Sequence, residues 1–277
     1  MCTLDGCGSH EHLGPPPKAT DEDRRLFLKG AVALPLAVIL ADPMLAHAAG
    51  MGLDKVTITT PEGDEMVAEI AMPATLPAPT VILIHEWWGL NDHIRAVAAE
   101  YAKQGYIALA VDLYGEAPAT TPDGARALMS GMDPVVATRK LQSSVEFLRN
   151  HKDSTGKVGS VGWCFGGGWS LNTALATDVD AAVIYYGNVK KTPEQVATLN
   201  APLMGHFGTL DKSINKEMVD GFERSLRVSG KSLYKFYWYD ADHAFANPTG
   251  GRYDSEDAQL AWERTMAFFK YHLNKSA

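Results

Sequence analysis

Residues 157–177 read KVGSVGWCFGGGWSLNTALAT, and the place of Cys164 in that run decides how the rest of the chain is read. KVGSVG (157–162) has the composition of a buried strand, and FGGGWSLNTALAT turns to helix-forming residues. Cys164 therefore falls on the corner between a strand and a helix. Four glycines, Gly162, Gly166, Gly167 and Gly168, lie within four positions of it. The spacing Gly162-Trp163-Cys164-Phe165-Gly166 is G-x-S-x-G with sulfur in place of oxygen, the pattern in which a strained turn lifts a nucleophile above a sheet. A side chain at either flanking glycine is expected to collide with the neighbouring strand or helix. Phe165 opens the helix, so its N–H can point at a developing oxyanion, and the helix N-terminus favours a thiolate. Two blander arrangements share the pattern: a structural cysteine in a glycine-rich crossover, and a phosphate-cradling loop. GWCFGGG fits G-x-G-x-x-G poorly, and it follows a middle strand rather than the first.

Working outward, short apolar runs alternate with longer amphipathic ones from residue 54 onward. Strands are predicted at VAEIAM (67–72), TVILIH (80–85), YIALAVD (106–112), KVGSVG (157–162), AAVIYY (181–186), PLMGHF (202–207) and LYKFYWY (233–239). Several are unbroken aliphatic runs, as strands covered on both faces require. Helices are predicted at 92–105, 134–151, 216–230 and 255–273; in the second, Val135, Leu141, Val145 and Leu148 recur at helical spacing. This alternation implies an α/β fold, a mostly parallel doubly wound sheet flanked by helices. YGEAPATTPDGAR (114–126) reads as a loop above the sheet.

The chain has 277 residues, a formal net charge of −8 and 46% hydrophobic residues, which suits one α/β domain with a large core. The acidic balance argues against a nucleic-acid partner, whose affinity rests on clustered basic residues. Three cysteines, two of them before residue 10, exclude a disulfide framework. Residues 1–48 have a different character. DRRLFLKG (23–30), an apolar run (31–41) and Ala-His-Ala (46–48) form the basic, apolar and A-x-A parts of a secretory signal. Arg24 and Arg25 ahead of Leu26-Phe27-Leu28-Lys29 resemble a twin-arginine export signal, a receptor-read address that implies the export machinery as partner and a periplasmic or secreted location. An unused signal would leave the protein in the cytoplasm. The apolar run is too short for a stable membrane span, and an uncleaved anchor or a core helix is its alternative reading. Cys2, Cys7, His10 and His12 sit upstream of the expected cleavage site and are assigned no chemistry. The domain proper is expected over 54–277.

A nucleophile on such a corner needs a base and a group that orients the base. HFGTLDKSI (206–214) presents Asp211 just past a strand, and YWYDADHAFAN (237–247) presents His243 past another; strand C-termini are where an open parallel sheet gathers its site. Asp240 and Asp242 are rival carboxylates, awkwardly placed to face a ring adjacent in sequence. In ILIHEWWGLNDHIR (82–95), His85 and Glu86 fail the H-E-x-x-H zinc pattern because position 89 is glycine. That loop instead offers the N–H of Trp87 as a second oxyanion donor and Glu86 as an acid or base in a water-poor pocket. No metal or cofactor is implied.

Taken together, HEWWGL (85–90), VDLYG (111–115), GKVGSVGWCFGG (156–167), GTLD (208–211) and DHAFAN (242–247) resemble the dienelactone hydrolase family of α/β-hydrolases, from about residue 54 to the C-terminus. The resemblance implies Cys164 as nucleophile, His243 as base, Asp211 as its orienting acid and Glu86 as the carboxylate that helps draw the thiol proton. Trp87 and Phe165 would lend their amides to the oxyanion, and a small ester or lactone would pass through a thioester. The family's dienelactone-cleaving members hold the substrate carboxylate with arginines. Here Asn247 stands where one is expected, and neither Arg252 nor Arg126 matches by position. Trp88, Tyr185 and Asn247 are expected in the substrate pocket; Trp87, Trp169 and Tyr186 would also favour a flat or apolar acyl group, or else pack in the core. A binding protein without catalysis on the same scaffold is the alternative. A cysteine peptidase lacks its local pattern here, and a redox sensor lacks a resolving cysteine.

Overall fold

The computed structural model describes residues 18–274. Its strands are β1 (Asp54–Thr59), β2 (Glu65–Ala71), β3 (Ala78–Ile84), β4 (Ile107–Val111), β5 (Ser154–Trp163), β6 (Ala181–Tyr185), β7 (Leu203–Gly208) and β8 (Tyr234–Tyr239). They form one eight-stranded sheet in the order β1-β2-β4-β3-β5-β6-β7-β8. β1 and β2 run antiparallel at one edge, and every pairing from β4 across to β8 is parallel. The doubly wound sheet expected from the sequence is present.

The helices are α1 (Asp21–Leu28), α2 (Leu36–Ala41), α3 (Pro43–Gly50), α4 (Asp92–Lys103), α5 (Pro122–Gly131), α6 (Pro134–Arg149), α7 (Phe165–Ala176), α8 (Pro193–Val196), α9 (Lys216–Val228) and α10 (Ser255–Leu273). Alternate side chains of β3 show why both faces need cover. Ile82 and Ile84 join one buried layer with Leu141 and Val145 of α6, Leu171 of α7 and Phe222 of α9. Val81 and Leu83 join the opposite layer with Val97 and Tyr101 of α4 and Phe269 of α10. Strand ends therefore emerge between two helical layers, and the loops at the C-terminal ends of β3, β5, β7 and β8 converge.

Three sequence expectations change. β1 was missed: as an edge strand it buries only Ile58 and carries no apolar run. The stretch 114–126 is a loop only to Thr121, whose side chain accepts from the Gly124 N–H and, with Pro122 at the first helical position, starts α5. Val135 lies exposed in the first turn of α6, where Ala137 takes the buried place ahead of Leu141. The second half of the apolar run expected as a signal core forms α2, and the chain continues through Asp42 into α3, with Val38, Ile39, Leu40 and Leu45 buried. Arg24 donates from Nε to Asp42 Oδ2 at 2.6 Å, and no described helix is long and apolar enough to cross a membrane. Cys2, Cys7, His10 and His12 lie outside the described residues.

Candidate active site

Cys164 sits at φ 54°, ψ −113°, between the end of β5 and the start of α7. That conformation is sterically poor for a residue with a Cβ and persists only where the surroundings enforce it. Here they do. The Cys164 N–H donates to the Tyr185 carbonyl at 3.0 Å, tying the corner to β6. A Cβ on Gly162 would overlap the Gly166 carbonyl, and one on Gly166 would overlap the Ile84 carbonyl of β3. The two glycines let helix and strands close beneath the sulfur, as the sequence pattern required.

The sulfur meets the two residues expected from later in the chain. His243 Nε2 lies 3.1 Å from Cys164 Sγ, and His243 Nδ1 lies 2.7 Å from Asp211 Oδ2. Asp211 is fixed in turn, since its Oδ1 accepts from the N–H groups of Ser213 (2.8 Å) and Ile214 (2.9 Å). The rival carboxylates are engaged elsewhere: Asp242 accepts from the His243 backbone N–H and Asp240 from Thr209. Burial disfavours charge on His243, but its bonds to Asp211 and Cys164 outweigh this and push its pKa up to about 10. Burial also opposes charge on Asp211, and the bonds from His243, Ile214 and Ser213 hold it below the usual carboxylate range. The two shifts agree, as expected of an ion pair.

On the β3 side, Glu86 is buried and its backbone is pinned. His85 Nε2 accepts from the Leu113 N–H, so Nδ1 carries the hydrogen and donates to the Glu86 carbonyl at 2.6 Å. Glu86 Oε2 accepts from Asn247 Nδ2 at 2.6 Å, while Oε1 is buried without a protein partner. Burial raises its pKa, against the opposing influence of Asn247, His243 and the exposed Arg252. The N–H groups of Trp87 and Phe165 meet no protein acceptor among the described residues. No cluster of three metal-ligating side chains occurs among the described residues.

The aromatic expectations divide. Trp88 packs edge-on to Trp87 in the same half-buried loop, ring centroids 5.0 Å apart. Tyr185, expected in the pocket, turns instead to the α10 layer: its hydroxyl bonds Thr265 at 2.7 Å and its ring lies against His206. Successive strand residues face opposite sides, and at the strand end it is Tyr186 that faces the site. Tyr186 is buried, sits at φ 36° and packs edge-on to His243 at 5.2 Å. Trp169 is core, and Arg126 pairs with Asp123 on the surface. Tyr114 was missed. Its ring lies against Phe165, its hydroxyl donates to the Trp87 carbonyl at 3.2 Å, and Cys164 is among the charges that raise its pKa after burial.

The dienelactone hydrolase family model matches residues 66–273. The chain belongs to this family. Carboxymethylenebutenolidase from Pseudomonas putida is 31% identical over 227 residues, spanning 77% of this chain and 94% of its own. Protein usf from Aquifex pyrophilus is 33% identical over 207 residues, spanning 70% and 89%. A dienelactone hydrolase-like promiscuous phosphotriesterase from metagenomic libraries shares the fold, with a TM-score of 0.72 at 21% identity over 80% of this chain and 99% of that one. The chain is thus a hydrolase of the dienelactone hydrolase kind, on an α/β-hydrolase fold.

Proposed function

We propose that this hydrolase cleaves a small, uncharged ester or lactone through Cys164, by way of a thioester. The observation that carries the reading is the unbroken relay from Asp211 through His243 to Sγ, at 2.7 and 3.1 Å. A protonated imidazole beside sulfur favours the thiolate, so the proton leaving Sγ rests on His243. The thiolate attacks the carbonyl carbon, and the carbonyl electrons move to an oxygen facing the amides of Trp87 and Phe165. Collapse breaks the C–O bond, and the leaving oxygen takes the proton from His243. Water then gives a proton to the neutral imidazole as it attacks the thioester, and acid and thiolate separate. Base catalysis contributes roughly 10²–10⁴-fold and each oxyanion donor about 10²–10³-fold. A binding-only role would not call for such a relay.

Lactone cleavage follows from the name carried by the Pseudomonas putida relative. The preference for an uncharged substrate follows from Asn247, a neutral amide in contact with Glu86 where the family resemblance leads one to expect a cation. Cys164→Ala is expected to abolish hydrolysis of an aryl ester and lactone panel; turnover that survives it refutes the assignment. The reading also includes export on Arg24 and Arg25. Replacing both with lysine is expected to keep the protein in the cytoplasmic fraction, and unchanged fractionation would remove that part.

A further inference from the structure

Asn247 does more than fill the place of a cation. Its Oδ1 accepts from the Thr249 N–H at 2.9 Å and from the Thr249 hydroxyl at 2.6 Å. A backbone N–H can only donate, so the amide has one permitted orientation and Nδ2 must point to Glu86. With Nδ2 donating, Glu86 Oε2 is an acceptor, and the carboxyl proton, where present, sits on Oε1. That atom is the buried oxygen with no protein partner. A carboxylate with one bare, buried oxygen is among the more expensive things a protein can hold, whereas a neutral carboxyl group leaves only a hydroxyl unpaired. His243, Asn247 and Arg252 on the following loop favour the anion, Tyr186 on the neighbouring strand end does not, and burial outweighs the favourable set. His243 already stands at hydrogen-bond distance from the sulfur, so the thiol needs no second base.

We propose that Asn247 and Thr249 form a fixed clamp that presents Glu86 Oε1 to the bound ester as a hydrogen-bond donor rather than to the thiol as a base. The clamp rests on the reading of Cys164 as nucleophile. Thr249 is a positioning residue, and the group recognised is an uncharged oxygen acceptor, the carbonyl or alkoxy oxygen of the ester. No proton is transferred.

Glu86→Gln tests this directly, because glutamine keeps the acceptor for Asn247 and replaces Oε1–H by N–H. Turnover of p-nitrophenyl acetate is expected to fall about threefold in E86Q and at least about tenfold in Glu86→Ala. E86Q falling as far as E86A overturns the proposal. Alkylation of Cys164 by iodoacetamide is expected to be equally fast in E86Q and wild type; a tenfold slower reaction would assign Glu86 the base role instead. Thr249→Val, which keeps the backbone bond and loses the hydroxyl, is expected to lower kcat about fivefold with little change in KM, and Thr249→Ser to restore it. An unaffected T249V, or no recovery in T249S, overturns the clamp even if E86Q folds poorly. Cys164→Ala, run in parallel, separates failure of the nucleophile reading from failure of the clamp.

Discussion

Asp211→Asn is isosteric, yet the hydrogen bonds around Asp211 predict a large loss of activity. Oδ1 accepts from two backbone N–H groups, those of Ser213 and Ile214, so the asparagine must place its carbonyl oxygen there. Its NH₂ then occupies the Oδ2 position, 2.7 Å from His243 Nδ1, and a donor faces what was a donor. The imidazole can answer only by leaving Nδ1 bare and carrying its hydrogen on Nε2. That tautomer points N–H at the sulfur and cannot take the thiol proton. In a serine triad the same exchange lowers kcat about 10⁴-fold. A thiol ionises more readily than a hydroxyl and keeps a few per cent thiolate at neutral pH, so the loss expected here is smaller, about 10²–10³-fold. Steady-state hydrolysis of p-nitrophenyl acetate at pH 7 measures it, with circular dichroism as the control for folding. Iodoacetamide should alkylate Cys164 more slowly in the variant, because the charged imidazole that favours the thiolate is lost. Activity within threefold of wild type would show that Asp211 does not set the tautomer, and the relay would need another explanation.

Gly166→Ala is expected to destabilise the fold by at least about 3 kcal/mol in urea denaturation, since the new Cβ meets backbone of β3 that cannot move aside; a loss below 1 kcal/mol would mean the elbow relaxes. Tyr186→Phe removes a buried hydroxyl that has no partner, so thermal denaturation is expected to show a gain of about 1 kcal/mol. A lower melting temperature would mean the hydroxyl is paired in solution. His243 carries a folded-state pKa raised from 6.5 to about 10, so its ionic contribution is complete below pH 6.5 and lost as pH rises toward 10. The stability difference between wild type and His243→Gln, measured in urea at pH 6, 8 and 10, is expected to shrink along that series, and a constant difference would contradict the shift.

How much of this was legible beforehand follows from what each residue depends on. The parallel strands were readable because both faces are buried, leaving unbroken runs such as ILI at 82–84. β1 was not, because one of its faces meets water and only Ile58 is buried. Cys164, Asp211 and His243 were legible because each closes a strand, and strand order fixes which loops meet. Tyr185 and Tyr186 were ambiguous for a physical reason: adjacent strand residues face opposite sides, and sequence gives the alternation without its phase. The role of Tyr114 depends on how the loop after β4 folds over Phe165, and that fold is set by His85 accepting the Leu113 N–H from 28 residues away. Nor could sequence show that Thr249 fixes the Asn247 amide, which rests on atoms rather than on residue types.

Among the described residues, the non-glycine positions with positive φ are Cys164, Tyr186 and Ala244. All three border the sulfur and its base: one carries the thiol, one packs against His243, and one follows His243 in the chain. Each such conformation costs on the order of 1–3 kcal/mol, and a fold selected for stability alone would place glycine there. The reason for tolerating the strain lies in the geometry of strand ends. β5 and β6 end on this rim, and a chain that must reverse within one residue and still raise a side chain toward the rim has few regular conformations available. Backbone bonds hold the turns: Cys164 N–H to the Tyr185 carbonyl, Tyr186 N–H to the His206 carbonyl, and Asn247 N–H to the Ala244 carbonyl. The first two bonds reach the neighbouring strand, so relaxing Cys164 or Tyr186 would pull on its neighbour across the sheet, and the third closes the turn that follows His243. The strain is thus shared by the three corners that bring Cys164, His243 and Asn247 together, and the same bonds that keep it in place keep the relay at reacting distance.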